Sequence, residues 1–396
     1  MQINRKQLRY IYNRFTFTRP SFAYYPVNSA TPGKRATYGE ARVGIMTNGA
    51  AGIMVEPGTT NLIPYSDPTD LAQIPSKGNI SIAPAGSVGA AFAGGVAFGA
   101  GVEQCAYFKP ALQPATTYTL SVFVRMDDGG VPVPDRISTS GDFALILDGR
   151  AIDPANITIE GLGAGLYRVS GYRTVGDPLY QINTGIIKYA TQSARTFKVT
   201  GFDLEPGDQK TSYMATNGAA ATRSPEIISA PVLFTPQEGG EISFRVEVTD
   251  RTKLQDGIRR LLVVRNAANT QNSLSLYHRS DSAQYHLATT DDAGLVTGVN
   301  FADTLIPNGT RILDVIHDKA IPAVILKCDG NEIARITNPA LPSGWGRAYL
   351  GSDAAGKNHA DAMFGGIKMT AADSTVLSDI LFNGPDFIRK ARTIQL

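Results

Sequence analysis

An all-β chain with two β-sandwich domains behind an extended N-terminal arm is the architecture this sequence predicts, and three observations predict it. Charged residues make up only 18% of the 396, while 40 glycines and 23 prolines punctuate the chain, a profile of strands joined by many turns. Short apolar runs recur with turn residues between them, alternating with polar residues where one face is to be covered. Sustained helical stripes and βαβ alternation are missing, which argues against coiled coils, helical solenoids and nucleotide-binding α/β folds. The 43% apolar content suffices for each domain to bury a core, and the length gives a prior of two to three domains.

Residues 1–66 read as the arm. Leu8, Ile11, Tyr12 and Phe15 form an i, i+3, i+4, i+7 stripe flanked by Arg5, Lys6, Arg9 and Arg14, so the arm opens on a short amphipathic helix. A terminal helix this short is marginal alone; it packs on its own domain, docks on a partner surface, or lies on a membrane surface. From Pro20 to Ser66 the chain reads as extended, lying over a folded domain, with Gly52-Ile-Met-Val55 as a short apolar run.

Residues 67–224 carry strand-like runs at Tyr118–Val124, Phe143–Leu147, Ile157–Ile159, Tyr167–Ser170 and Phe197–Thr200, the spacing of a first sandwich. Residues 225–396 carry a second series. Within Glu241–Val248, Ile242, Phe244, Val246 and Val248 share one face. Leu261–Val264, Ser273–Tyr277, Ile312–Ile316, Val324–Cys328 and Ile333–Ile336 follow, with Asp329-Gly330 between the last two as a hairpin signal. Trp345–Gly351 and Phe364–Ile367 read as closing strands, and Ala371–Phe382 as a second short helix.

Signals for chemistry are thin. A net charge of +2 gives no general reason for nucleic-acid binding. The most apolar stretch, Ala85–Ala100, is broken by glycines, so membrane insertion is not expected. The N-terminus shows neither an apolar signal region nor a cleavage site, and a soluble protein without a secretion address is the expectation. Cys105 and Cys328 lie too far apart in sequence to suggest a disulfide framework or a zinc module and read as small buried hydrophobes. His278, His286, His317 and His359 show no metal-ligand spacing. A nucleophile elbow and a phosphate loop are absent, and the glycine-rich turn Gly161–Gly165 has no helix after it. No catalytic residue is assigned, and a non-enzyme is expected.

Carboxylates cluster at Asp127-Asp128, at Asp291-Asp292 and in the loop from Gly351 to Asp361. Calcium needs six to eight oxygens, which adjacent Asp pairs do not supply alone, and turn formation accounts for most of them. The expectation is no cofactor, with Ca²⁺ as the alternative. Ligand-binding candidates are Asp353, Asn358 and His359 in that loop and Trp345, the sole tryptophan, which reads first as core and second as a sugar-stacking platform.

Two segments carry a resemblance. Phe17-Thr-Arg-Pro-Ser-Phe-Ala-Tyr24 followed by Gly52-Ile-Met-Val-Glu-Pro-Gly-Thr-Thr-Asn-Leu-Ile-Pro-Tyr-Ser66 resembles an opening, F-x-R-x-S-x-A-x-Y then G-L-L-I-E-x-x-x-T-N-L-L-x-Y-S, recurrent in phage and prophage virion proteins. Phe202-Asp-Leu-Glu-Pro-Gly-Asp-Gln-Lys-Thr-Ser-Tyr213 and Thr216-Asn-Gly-Ala-Ala-Ala-Thr-Arg223 are similar to the Q-L-E-x-G-x-x-x-T-S-Y-I-P-T…T-R ending of the same modules, with Asp203 in place of the usual Gln. The resemblance implies a carbohydrate-binding-module-like jelly roll over 67–224 and a concanavalin-like (laminin-G-like) sandwich over 225–396. It further implies a virion structural protein, assembled in the host bacterial cytoplasm, of tail-fibre or receptor-binding type contacting host surface glycans. The alternative is a capsid decoration or head-fibre/neck protein, with an envelope-degrading glycosidase as a third reading. Its partners would be other tail, neck or capsid proteins and further copies of itself, as in a trimer. The family supplies no catalytic residue.

Overall fold

A computed structural model describes residues 16–18, 23–24, 35–36, 43–45, 51–90, 92–136, 139–249, 258–266, 271–279, 281–353, 360 and 362–381. The expected N-terminal helix, with Leu8, Ile11, Tyr12, Phe15 and its four basic residues, lies outside them, as do Asn358 and His359. Among the described residues the regular structure is antiparallel β-strand, interrupted only by single 3-10 turns such as Leu71–Gln73 and Pro154–Asn156. The chain divides into two compact units, one built on residues 58–223 and one on residues from 224 onward.

The first unit pairs a five-stranded with a six-stranded sheet. The five-stranded sheet runs Arg150–Ala151, Ala144–Leu147, Thr184–Lys188, Gln104–Phe108, Ser76–Gly78. The six-stranded sheet runs Ile157–Gly161, Leu166–Thr174, Thr117–Met126, Phe197–Pro206, Gly95–Phe98, Ser81–Ala83. Leu120, Val122 and Val124 of the central strand share a core with Phe108, Leu145 and Ile186 of the other sheet. Strand alternation therefore leaves Thr119, Ser121 and Phe123 on the opposite, outer face. Between Ser121 and Phe123 the register with Phe197–Pro206 slips by a bulge. Gly201 sits there at φ +60°, where a Cβ would collide with the Phe123 ring, so only glycine fits.

The second unit is a sandwich of a seven-stranded and an eight-stranded sheet. Ile242, Phe244, Val246 and Val248 of Gly240–Val248 are buried in one core with Leu262, Leu274, Leu276 and Leu287 of the facing sheet, so the strict alternation marks the covered side. This unit is discontinuous in sequence. Ala51–Val55 pairs with Ala362–Ala371, and Thr16–Thr18 pairs with Ile227–Pro231. Gly52–Val55, expected as extended chain lying over a domain, is thus a strand within a sheet, and Ile53 and Val55 are fully buried in the core.

The helix expected over Ala371–Phe382 is corrected. Val376–Leu381 is a strand that folds back on Ala362–Ala371. Asp373 accepts the Thr375 N–H at 2.9 Å and Ser374 adopts φ +67°, a tight turn that commits the chain to a hairpin. Pairing of Ile380 with Ile367 then outweighs the helical spacing of the apolar residues.

Candidate functional site

Residues of the segments 59–66 and 202–223 meet on the outer face of the six-stranded sheet in the first unit. Asn61 is fully buried. Its Nδ2 donates to the carbonyls of Phe202 (3.1 Å) and Met214 (2.8 Å), and its Oδ1 accepts the N–H groups of Ile63 and Leu204, both at 3.0 Å. Glu205 accepts the Thr211 N–H at 2.7 Å and the Thr211 hydroxyl. The Tyr213 hydroxyl donates to Asp67 at 2.6 Å and lies 2.7 Å from Ser66 Oγ. Arg168 donates to Thr211 O at 2.6 Å and Ser121 Oγ at 2.9 Å, and reaches Asp203 at 3.6 Å. Arg223 donates to Ser212 O at 3.2 Å. Together these bonds clasp the segment around Thr211–Thr216 against the sheet and the Asn61–Ser66 entry.

Burial, then the Glu205 charge, pushes the Asp203 carboxyl well above its ordinary range, and burial raises Glu205 and Asp67 as well. Asp203 and Glu205 are at most 2% exposed, so this charged cluster has no open face for a substrate. It is a framework.

An accessible polar face lies on the seven-stranded sheet of the second unit. Its strands run in the order Thr16–Thr18, Ile227–Pro231, Trp345–Leu350, Ile258–Asn266, Asn272–Arg279, Gln284–Thr290, Val296–Ala302. Leu274, Leu276, Tyr285 and Leu287 point into the core, so Ser275, Tyr277, His286 and Ala288 point away from it. A bulge between Arg260 and Leu262 brings Arg260 to the same outer side, opposite Tyr277, the re-aiming of a side chain that bulges provide. Cross-strand pairing then lines up Arg260, Tyr277, His286 and Asn300. A second row lines up Tyr349, Val263, Ser275, Ala288 and Gly298.

Val263, Ser275 and Ala288 are buried, whereas Arg260, Tyr277, His286 and Tyr349 stay half-buried, so tall polar side chains flank a low floor. The Arg260 guanidinium carbon lies 5.5 Å from the Tyr277 ring centre, within cation–π range. Its Nη1 reaches Ser275 Oγ at 3.4 Å, and its buried Nε has no hydrogen-bond partner among the described residues. Burial pulls this guanidinium below its ordinary pKa, opposed by the nearby Asp353 charge. The Tyr277 hydroxyl lies 2.6 Å from His286 Nδ1. Burial, then the Arg279 charge, holds His286 below the usual imidazole range, which favours a neutral ring accepting from Tyr277. His286 Nε2 lies directly over Gly298, where a Cβ would collide with it. An aromatic ring, a guanidinium and a neutral imidazole thus stand side by side on one sheet face.

Of the sequence-derived candidates, Asp353 acts electrostatically on Arg260. Trp345 is 7% exposed, with its ring edge-on to Phe234 at 5.4 Å and to His317 at 5.8 Å. It presents no face for a sugar, which corrects the platform reading in favour of core. The sequence does not single out Arg260 or Tyr277, and for His278 and His286 it shows only the lack of metal-ligand spacing. Strand parity held the missing signal, because Tyr277 and His286 fall on the polar side of Asn272–Arg279 and Gln284–Thr290. Cys328 is buried and Cys105 half-buried; both are free thiols. Among the described residues no group of three or more His, Cys, Asp or Glu side chains is placed to hold a metal ion, and no helix is long and apolar enough to cross a membrane.

No family model and no curated protein matches this chain. Among solved structures it is similar to the Ruminococcus gnavus IT-sialidase CBM40, at 19% identity over 39% of this chain and 83% of that one, TM-score 0.26. It is also similar to the receptor binding domain of botulinum neurotoxin C/D mosaic serotype, at 12% identity over 43% and 41%, TM-score 0.28. The SAP-like pentraxin of Limulus polyphemus matches at 10% identity over 42% and 75%, TM-score 0.26. At TM-scores below 0.5 these likenesses carry no functional assignment.

Proposed function

We propose that the chain is a non-enzymatic, glycan-binding structural protein of a bacteriophage virion, of tail-fibre or receptor-binding type. Its second sandwich contacts host surface sugars through the recess of Arg260, Tyr277 and His286. The observation that carries the binding assignment is the half-buried Arg260, whose guanidinium covers Tyr277. A ligand oxygen beside the ring would pair with the N–H donors of that guanidinium. The Tyr277 ring offers a flat apolar surface beside it, the combination of apolar contact and few placed polar groups that small-ligand sites use. The virion setting rests on the motif resemblance, whose residues Asn61, Glu205, Thr211 and Tyr213 meet in the clasp.

Glycan-array binding of the full chain, compared with Arg260→Ala and Tyr277→Ala, tests the recess. Each variant should lose about tenfold or more in affinity while keeping the wild-type unfolding temperature. Unchanged sugar binding in both would refute the site. Immunogold labelling of virions with antibody to residues 225–396 tests the setting. Label at the distal tail is expected; label over capsid or neck would favour decoration instead.

A further inference from the structure

A second recess opens in the same unit, away from the outer sheet face. It has a volume of about 380 Å³, and its walls include Gln237, His317, Lys319, Pro322, Asn338 and Pro339. That is enough for one pyranose with substituents, at the small end of ligand pockets.

Three features make it a built site. His317, 6% exposed, forms part of its wall, and its Nε2 is held by a hydrogen bond to Pro236 O at 2.7 Å. Its ring rests edge-on against Trp345, and Trp345 against Phe234, so the wall is continuous with the core. Secondly, prolines stiffen the rim, and the Asn338 N–H donates to Pro322 O at 2.9 Å, with Asn338 itself at φ +50°. That conformation strains most residues but is tolerated by Asn and Gly. Thirdly, among the described residues the exposed side chains of Gln237, Lys319 and Asn338 make no protein hydrogen bond or ion pair, which leaves them open at the rim.

The charge balance of the recess defines its ligand. No carboxylate is part of the lining. The neighbouring Glu238 is turned to the Thr235 N–H and hydroxyl at 2.8 and 3.1 Å, and Asp318 accepts the Ala320 N–H at 2.8 Å. Lys319 therefore supplies a positive charge within the lining, flanked by two amides that both donate and accept. An ammonium beside amides suits a carboxylate carried on a hydroxyl-rich ring.

We propose that this recess binds an acidic monosaccharide, of the uronic-acid type, with Lys319 on the carboxylate and Gln237 and Asn338 on ring hydroxyls. It is a site separate from the Arg260 face, and neither depends on the other.

Trp345, the sole tryptophan, is an intrinsic reporter behind His317. The full chain is titrated with glucuronate, glucose and inorganic phosphate, with calorimetry and Trp345 fluorescence as paired readouts. Saturable glucuronate binding with a fluorescence change is expected, with glucose weaker by about tenfold, the weight of one charge-assisted bond. Lys319→Ala should weaken glucuronate to the level of glucose. Asn338→Gly, which keeps the backbone conformation, should also weaken it, while Arg260→Ala should leave it unchanged. Absence of saturable glucuronate binding overturns the proposal, as does binding insensitive to Lys319→Ala. Phosphate binding as tight as glucuronate shows a site that reads charge alone and overturns the sugar assignment. Loss of glucuronate binding in Arg260→Ala moves the ligand to the sheet face and equally overturns it.

Discussion

Asn61→Ala removes a side chain that satisfies four backbone groups inside the first unit. Two carbonyls, of Phe202 and Met214, lose a donor, and two N–H groups, of Ile63 and Leu204, lose an acceptor. Each buried group left unpaired costs about 1–3 kcal/mol. The vacated volume is lined by these four backbone polar groups, so a water that enters satisfies some of them. A net loss of about 3–5 kcal/mol follows, from two to three groups left unpaired. For a unit of this size that lowers the midpoint by on the order of 10 °C.

The full chain is measured by scanning calorimetry, with hydrogen exchange at Ile63 and Leu204 to assign the transition to this unit. Thr60→Ala is the control. Its hydroxyl lies 2.8 Å from that of Thr222 on the exposed side of the same short strand, so its loss should stay within about 0.5 kcal/mol. If Asn61→Ala costs less than about 1 kcal/mol, or no more than Thr60→Ala, the clasp is not what holds the module closed.

Gly201→Ala places a Cβ against the Phe123 ring at φ +60° and should destabilise the same transition by about 1–3 kcal/mol; a neutral result in urea unfolding would show that the bulge relaxes. Asp203→Asn tests the buried acid. Burial raises its carboxyl above the ordinary carboxylate range, so above that range the folded chain holds a proton that the unfolded chain releases. Stability from this group is therefore present at low pH and falls as pH rises through the folded value. The wild type should lose stability relative to Asp203→Asn as pH rises above the ordinary carboxylate range, read as diverging calorimetric midpoints; parallel curves would show Asp203 ionised in the fold, matched by Arg168. Glucuronate titrations of Lys319→Ala and Arg260→Ala separate the two recesses of the second unit.

Much of the strand layout was legible in sequence because alternation reports a local fact, the covered side of a strand. Gly240–Val248 is an example, with four apolar residues at period two. Ala51–Val55 was readable as apolar but not as sheet, since its partner Ala362–Ala371 lies some three hundred residues away. Ala371–Phe382 misled because Val376, Leu377, Ile380 and Leu381 fit a helical stripe, and only the turn at Asp373–Thr375 and the register with Gly366–Thr370 decide otherwise. For the candidate recess, the parity of Tyr277 and His286 was available. Arg260 was not, because a bulge sets its direction and no composition or spacing announces a bulge.

What separates the two polar clusters is saturation rather than residue type. Asn61 spends both its donors and both lone-pair directions on the chain's own backbone, and Glu205 and Tyr213 meet protein partners within a closed interior. Such groups have nothing left to offer a ligand, so substitution there acts through folding. Among the described residues Lys319, Gln237 and Asn338 have bonding capacity left unused at the rim of a recess, and Arg260 stands half-buried on the outer sheet face. Substitution there should spare the unfolding temperature and act through binding. The same variants measured by both readouts would therefore fall into two groups, and a residue such as Arg260 that moved stability as strongly as Asn61 would belong to the framework instead.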